Sequence, residues 1–96
     1  MKPSVALESH RDALRAAVAR NRAANPRVFG SALRGDDVEG SDLDILVDAL
    51  PGATLLDLGG LQLDLEELLG VRVDLLTPGD LPEPIRSRVL AEAAPV

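Results

Sequence analysis

Residues 30 to 44 read Gly-Ser-Ala-Leu-Arg-Gly-Asp-Asp-Val-Glu-Gly-Ser-Asp-Leu-Asp, a small-residue turn followed by two aspartates separated by one residue. The Gly30-Ser31 pair can lend backbone N–H groups to a phosphate, and carboxylates at Asp42 and Asp44 can hold the divalent cation that travels with it. Side-chain parity extends the set. On a strand through Leu43–Val47, Asp42, Asp44 and Leu46 share one face while Leu43, Ile45 and Val47 share the other. A later strand repeats the pattern, with Val71, Val73 and Leu75 opposed to Arg72, Asp74 and Leu76. If the two strands are neighbours, Asp74 joins the pair.

Three close carboxylates repel and raise one another's pKa unless a cation neutralises them, and all-oxygen ligation suits Mg²⁺ or Mn²⁺. Two such ions about 3.5–4 Å apart, bridged by Asp42 and Asp44, would clamp an in-line phosphoryl displacement. Asp74 would serve the attacking hydroxyl and accept its proton, while Gly30 and Ser31 hold the pyrophosphate leaving group. Arg34 has two open roles: charge for the phosphates, or fixing the turn through an acidic neighbour.

The elements that position these residues follow from local signals. An amphipathic helix is expected from Ser4 to about Ala24, stopped by Asn25-Pro26, with His10 on its exposed side. Arg27–Phe29 reads as a short strand ending at Gly30, followed by a turn of helix at Ala32–Arg34 and a solvated acidic loop from Gly35 to Gly40. Thr54 to Leu69 reads as a helix with a capping-box start, weakened at Gly59-Gly60 and ended by Gly70. The third strand spans Val71–Leu76, and a last helix spans Pro84–Ala93 with Ile85, Val89 and Leu90 on its buried face. Glu66 and Glu67 read as helix surface. Strands and helices alternate, which predicts an α/β layer architecture in the order αβ(α)βαβα.

The string Phe29-Gly-Ser-x-x-Arg34-Gly35, then Ser41-Asp42-x-Asp44-Ile45, with the later Val73-Asp74-Leu75, resembles the nucleotidyltransferase signature of the DNA polymerase beta superfamily, and in particular its minimal nucleotidyltransferases. The resemblance implies a palm-like nucleotidyltransferase fold, a small mixed sheet of three or more strands flanked by helices, in one domain over residues 1 to 96. It implies that Asp42, Asp44 and Asp74 bind two magnesium ions and transfer a nucleoside monophosphate, AMP from ATP being the first choice, to a hydroxyl. Minimal members commonly act as antitoxins of HEPN-domain toxins, some by attaching AMP to a toxin tyrosine, so the resemblance also implies that partner. Two alternatives stand beside it: an antitoxin that works by contact alone, and transfer to a small-molecule hydroxyl.

Composition narrows the field. With 96 residues and a formal charge of −6, the chain has material for one modest core, built almost wholly from Leu, Val and Ala because Phe29 is its one aromatic residue. The acidic balance and missing stacking platforms argue against direct nucleic-acid binding. No cysteine and one histidine exclude a thiolate or histidine-cluster metal site, leaving a hard, oxygen-bound ion. No signal peptide or membrane span is legible, so a cytoplasmic protein is expected, with homo- or hetero-oligomers open. Arg11, Arg15, Arg20 and Arg22 read as a solvated or partner-facing basic helix surface.

Overall fold

A computed structural model describes residues 1 to 96. The chain runs α1 (Pro3–Ser9), α2 (Arg11–Arg20), β1 (Ala23–Phe29), α3 (Gly30–Arg34), β2 (Leu43–Ala49), α4 (Leu55–Leu69), β3 (Val73–Leu76), a 3-10 turn (Pro78–Asp80), α5 (Ile85–Glu92) and β4 (Ala94–Pro95). The sheet order is β3-β2-β1-β4. β2 and β3 pair in parallel, whereas β1 is antiparallel to both β2 and β4. A helical crossover between β2 and β3 is what a parallel pair requires, and α4 supplies it.

The buried residues explain why one face of this sheet is covered. Leu43, Ile45 and Val47 of β2 and Val73 of β3 join Leu7, Leu14, Val18, Leu61, Leu65 and Leu69 in a wholly aliphatic core between sheet and helices. Strand parity therefore sends Asp44 to the opposite, open face. Leu46 is also buried on that second face, where the 3-10 turn meets β2.

Local chemistry sets the element ends. The Thr54 hydroxyl accepts the Asp57 amide while the Asp57 carboxylate accepts the Thr54 amide, the capping box expected there, and Gly70 closes α4 at φ 70°. Gly59-Gly60 does not split α4. Two glycines cost about 2 kcal/mol of helix propensity, which burial of Leu61, Leu65 and Leu69 on one side outweighs.

Several expected boundaries move. The single helix from Ser4 to Ala24 is two helices. Pro3 opens α1, since a first-turn proline forfeits no helical hydrogen bond, and His10 leaves helical geometry at φ −136°. Its Nδ1 lies 2.9 Å from the Ala6 carbonyl oxygen, so the ring sits half-buried at the break instead of on an exposed helix side. The break lets α1 reach α3 while α2 packs on β1 and α4. Asn25-Pro26 is no stop: α2 has already ended at Asn21, and left-handed Asn25 (φ 54°) forms a bulge inside β1, which tolerates a proline without an N–H.

The acidic loop is not wholly solvated. Asp37 is buried at 4% exposure and its Oδ2 accepts the Ser4 amide at 2.8 Å, which holds its carboxyl below the usual range. Glu66 is also more than surface, because its Oε2 accepts the Val73 amide at 3.0 Å on the outer edge of the sheet. The last helix lacks the expected buried face: Ile85 and Leu90 are 41% and 46% exposed, and Val89 is half-buried. Leu81 and the β4 pairing with Arg27 and Val28 anchor that segment instead.

Candidate active site

Asp44 lies at the centre of the open sheet face because β2 is an inner strand. Its register partners are Phe29 on β1 and Asp74 on β3, so the parallel pairing of β2 and β3 sets the two aspartates side by side. Gly30 follows Phe29 at φ 73°, a left-handed conformation that glycine adopts without steric cost. It also meets the carboxylate directly, since a Cβ there would overlap Asp44 Oδ2. Strand end, turn and carboxylate are thus one packed unit.

Electrostatics bear on the same atom. The Asp44 carboxyl is pushed up to about 6, first by burial and then by the charges of Asp74 and Asp42, with Arg34 opposing. Such a shift marks a carboxylate whose charge is costly where it sits, chiefly because burial strips its water and secondly because other carboxylates lie near. Asp74 is exposed on this face. Asp42 stands just before β2 with its side chain half-exposed, and Arg72 Nε lies 3.0 Å from its Oδ1. Arg72 also donates from Nη2 to the Gly40 carbonyl at 3.1 Å, which ties the loop before β2 to the residue before β3.

Ser31 sits in the first turn of α3, half-buried, where early helical amides lack intrahelical partners. The helix therefore starts at Gly30 rather than at Ala32. Arg34 is exposed, with its Nε 3.6 Å from Asp36 Oδ2, and its charge still reaches Asp44. Both roles left open for it have a counterpart here: an acidic neighbour in the turn and a positive field over the site.

The structure brings Gly30, Asp44 and Asp74 together, with Asp42 and Arg34 at the margin. No three acidic or histidine side chains already converge into a ready cation cage. The donor set nonetheless fits a hard divalent ion, being all oxygen and centred on a part-buried carboxyl with two more aspartates near it. Arg72 is the site-margin residue that sequence reasoning left without a role. Its signal was present, because parity placed it on the same face as Asp74.

A mixed sheet carrying adjacent carboxylates on its open face, beside a glycine-serine turn, is an arrangement suited to phosphoryl transfer. The model of the nucleotidyltransferase domain matches residues 8–96. The chain belongs to that family and is a nucleotidyltransferase. Among its relatives, the protein adenylyltransferase MntA of Thermococcus cleftensis is 48% identical over 65 residues, 68% of this chain and 66% of that protein. A solved structure of a "putative minimal nucleotidyltransferase" superposes with TM-score 0.88 at 46% identity, covering 100% of this chain and 97% of that one. A toxin-antitoxin crystal structure with AMP-PNP shares the fold at TM-score 0.70 and 22% identity, covering 83% of this chain and 66% of that one. The expected palm-like α/β fold is the one observed.

Proposed function

We propose that this nucleotidyltransferase moves AMP from ATP to a hydroxyl on a protein partner, a tyrosine of a HEPN-type toxin, and thereby acts as an antitoxin. The observation that carries the reading is the junction at Asp44, where Gly30 and Asp74 meet a carboxyl raised to about 6. In this reaction the acceptor oxygen forms a bond to the α-phosphorus, the bond to the pyrophosphate oxygen breaks, and the acceptor's proton leaves. Asp74 would orient that hydroxyl and take its proton, a role its exposure supports. Gly30 and Ser31 bind the triphosphate through backbone amides and the serine hydroxyl, and Arg34 adds positive charge. Asp42, Asp44 and Asp74 would hold two magnesium ions, or manganese, which supply charge neutralisation and polarise phosphoryl oxygens.

The adenylyl donor is supported by the relative named protein adenylyltransferase and by the AMP-PNP-bound neighbour of the same fold. The toxin partner is supported by that neighbour's toxin-antitoxin assembly. A net charge of −6 favours a protein acceptor over a nucleic acid. We place the reaction in the cytoplasm, within one domain over residues 1 to 96; no helix is long and apolar enough to cross a membrane.

The Asp42–Arg72 ion pair favours a second reading, since it engages one of the three carboxylates. There the chain neutralises its toxin by contact and the site is a relic. Labelled ATP, Mg²⁺ and the product of the adjacent gene decide between them. Label on that product, lost with Asp42→Asn/Asp44→Asn together with protection from the toxin, supports transfer. Protection that survives the double substitution supports contact, and label on a small-molecule hydroxyl alone overturns both.

A further inference from the structure

Helix α4 is apolar on two sides. Leu61, Leu65 and Leu69 face the core, yet Leu55 and Leu56 are each 87% exposed and Leu63 is 67% exposed. At 3.6 residues per turn these three fall within about 100° of one another around the axis, forming one stripe. Exposed Gly59 lies inside that stripe and Leu50, 43% exposed, stands in the turn before it. A surface helix normally turns its polar side to water, so a second apolar stripe facing solvent is a surface suited to contact.

Charge identifies what covers it. Of the 15 residues of α4, Asp57, Asp64, Glu66 and Glu67 are acidic and none is basic. Glu67 stands one turn beyond Leu63 on the exposed helix surface. Pairing with a second copy of this face would set acidic rim against acidic rim, which opposes association. We infer that the exposed face of α4 docks a partner protein through an apolar surface rimmed by Lys or Arg. This deepens the reading above, resting on its protein partner but not on its chemistry.

The position suits an acceptor-bearing partner. α4 packs against β3, the edge strand that carries Asp74, and lies on the covered side of the sheet. A protein seated on α4 leaves the open face free and reaches Asp74 around the β3 edge. Docking and chemistry then use separate surfaces.

The test uses the adjacent-gene product as the probe, with titration at low and high salt and light scattering of each protein alone. Leu56→Ser/Leu63→Ser should weaken the complex about 100-fold, since apolar anchors at the centre of an interface dominate its affinity. Its thermal melting should match the parent because both side chains are solvent-exposed. Glu67→Lys should weaken binding several-fold and flatten its salt dependence. Unchanged affinity of the double-serine variant overturns the inference, as does self-association through this face or the lack of any complex with the probe. The two readings fail separately. A complex that forms without label transfer, and breaks with the serine variant, keeps the docking face and sinks the chemistry; undiminished labelling by the serine variant does the reverse.

Discussion

Replacing Gly30 with alanine tests whether the turn and the Asp44 carboxylate form one unit. The substitution has two separable costs. An L-residue held at φ 73° costs about 1–2 kcal/mol, and a chain of this size loses about 4–8 °C of Tm per kcal/mol. Gly35→Ala has the same backbone cost at φ 79°, but its methyl meets no atom within 4 Å. Both variants should therefore melt lower by similar amounts. Only at Gly30 does the methyl overlap Asp44 Oδ2, with the Asp44 Cγ a further 3.1 Å neighbour. Restoring van der Waals distance displaces the carboxylate by about 1 Å, and misplacement on that scale costs about 100-fold in rate. Single-turnover transfer of labelled AMP, at a temperature where circular dichroism shows both variants folded, reads the difference. Gly30→Ala should fall about 100-fold and Gly35→Ala no more than about threefold. Equal activities in the two variants would refute the coupling of turn to carboxylate.

Asp44 also predicts a pH dependence. Its carboxyl binds a proton more tightly in the folded state, about 6 against an ordinary 3.8, so its favourable contribution is complete below pH 3.8 and is lost as pH rises through 6. Asp44→Asn should remove that loss and melt above the parent at pH 8 in EDTA; a parallel pH profile of Tm would contradict it. At pH 8, Mn²⁺ should raise the Tm of the parent and not of Asp42→Asn/Asp44→Asn, with an equal rise in both sinking the cation site. Arg72→Gln releases Asp42 from an exposed ion pair, worth at most about 1 kcal/mol, so Mn²⁺ should bind up to about fivefold tighter, and weaker binding would show that Arg72 does not compete. Leu65→Ala should cost about 2–5 kcal/mol in urea unfolding and Leu63→Ala no more than about 0.5; similar costs would mean that α4 packs the other way round.

What could be read from the chain alone divides by range. Thr54-x-x-Asp57 and Gly70 act within one turn of helix, so the ends of α4 were legible. Parity was legible because one face of β2 is fully buried, which forces Leu43, Ile45 and Val47 inward and Asp44 outward. The break at His10 was not, because the pattern of Leu7, Leu14 and Val18 satisfies one long helix as well as two. Pro26 conceals its strand for a related reason: a proline argues against a regular strand, and the bulge that accommodates it exists only once β2 is paired alongside. In α5, periodicity found apolar residues without knowing that no layer lies over them. The leucines of α4 hide the same ambiguity, since a helix with two apolar sides carries no signal for which of them meets the sheet.

The site joins both kinds of information. Residue type and parity placed carboxylates at Asp42, Asp44 and Asp74, but the alignment of Asp44 with Asp74 needs β3 to return in parallel beside β2 after the α4 crossover. Burial of Asp44 in turn needs Gly30 against it. Its raised carboxyl is therefore a property of the assembled sheet, not of the Asp-x-Asp motif. A peptide spanning residues 28 to 47 carries the whole motif without β3 or the core, and its Asp44 should titrate as an ordinary aspartate. Titration near 6 in that peptide would mean that the local pair of aspartates, rather than the fold, sets the charge of the site.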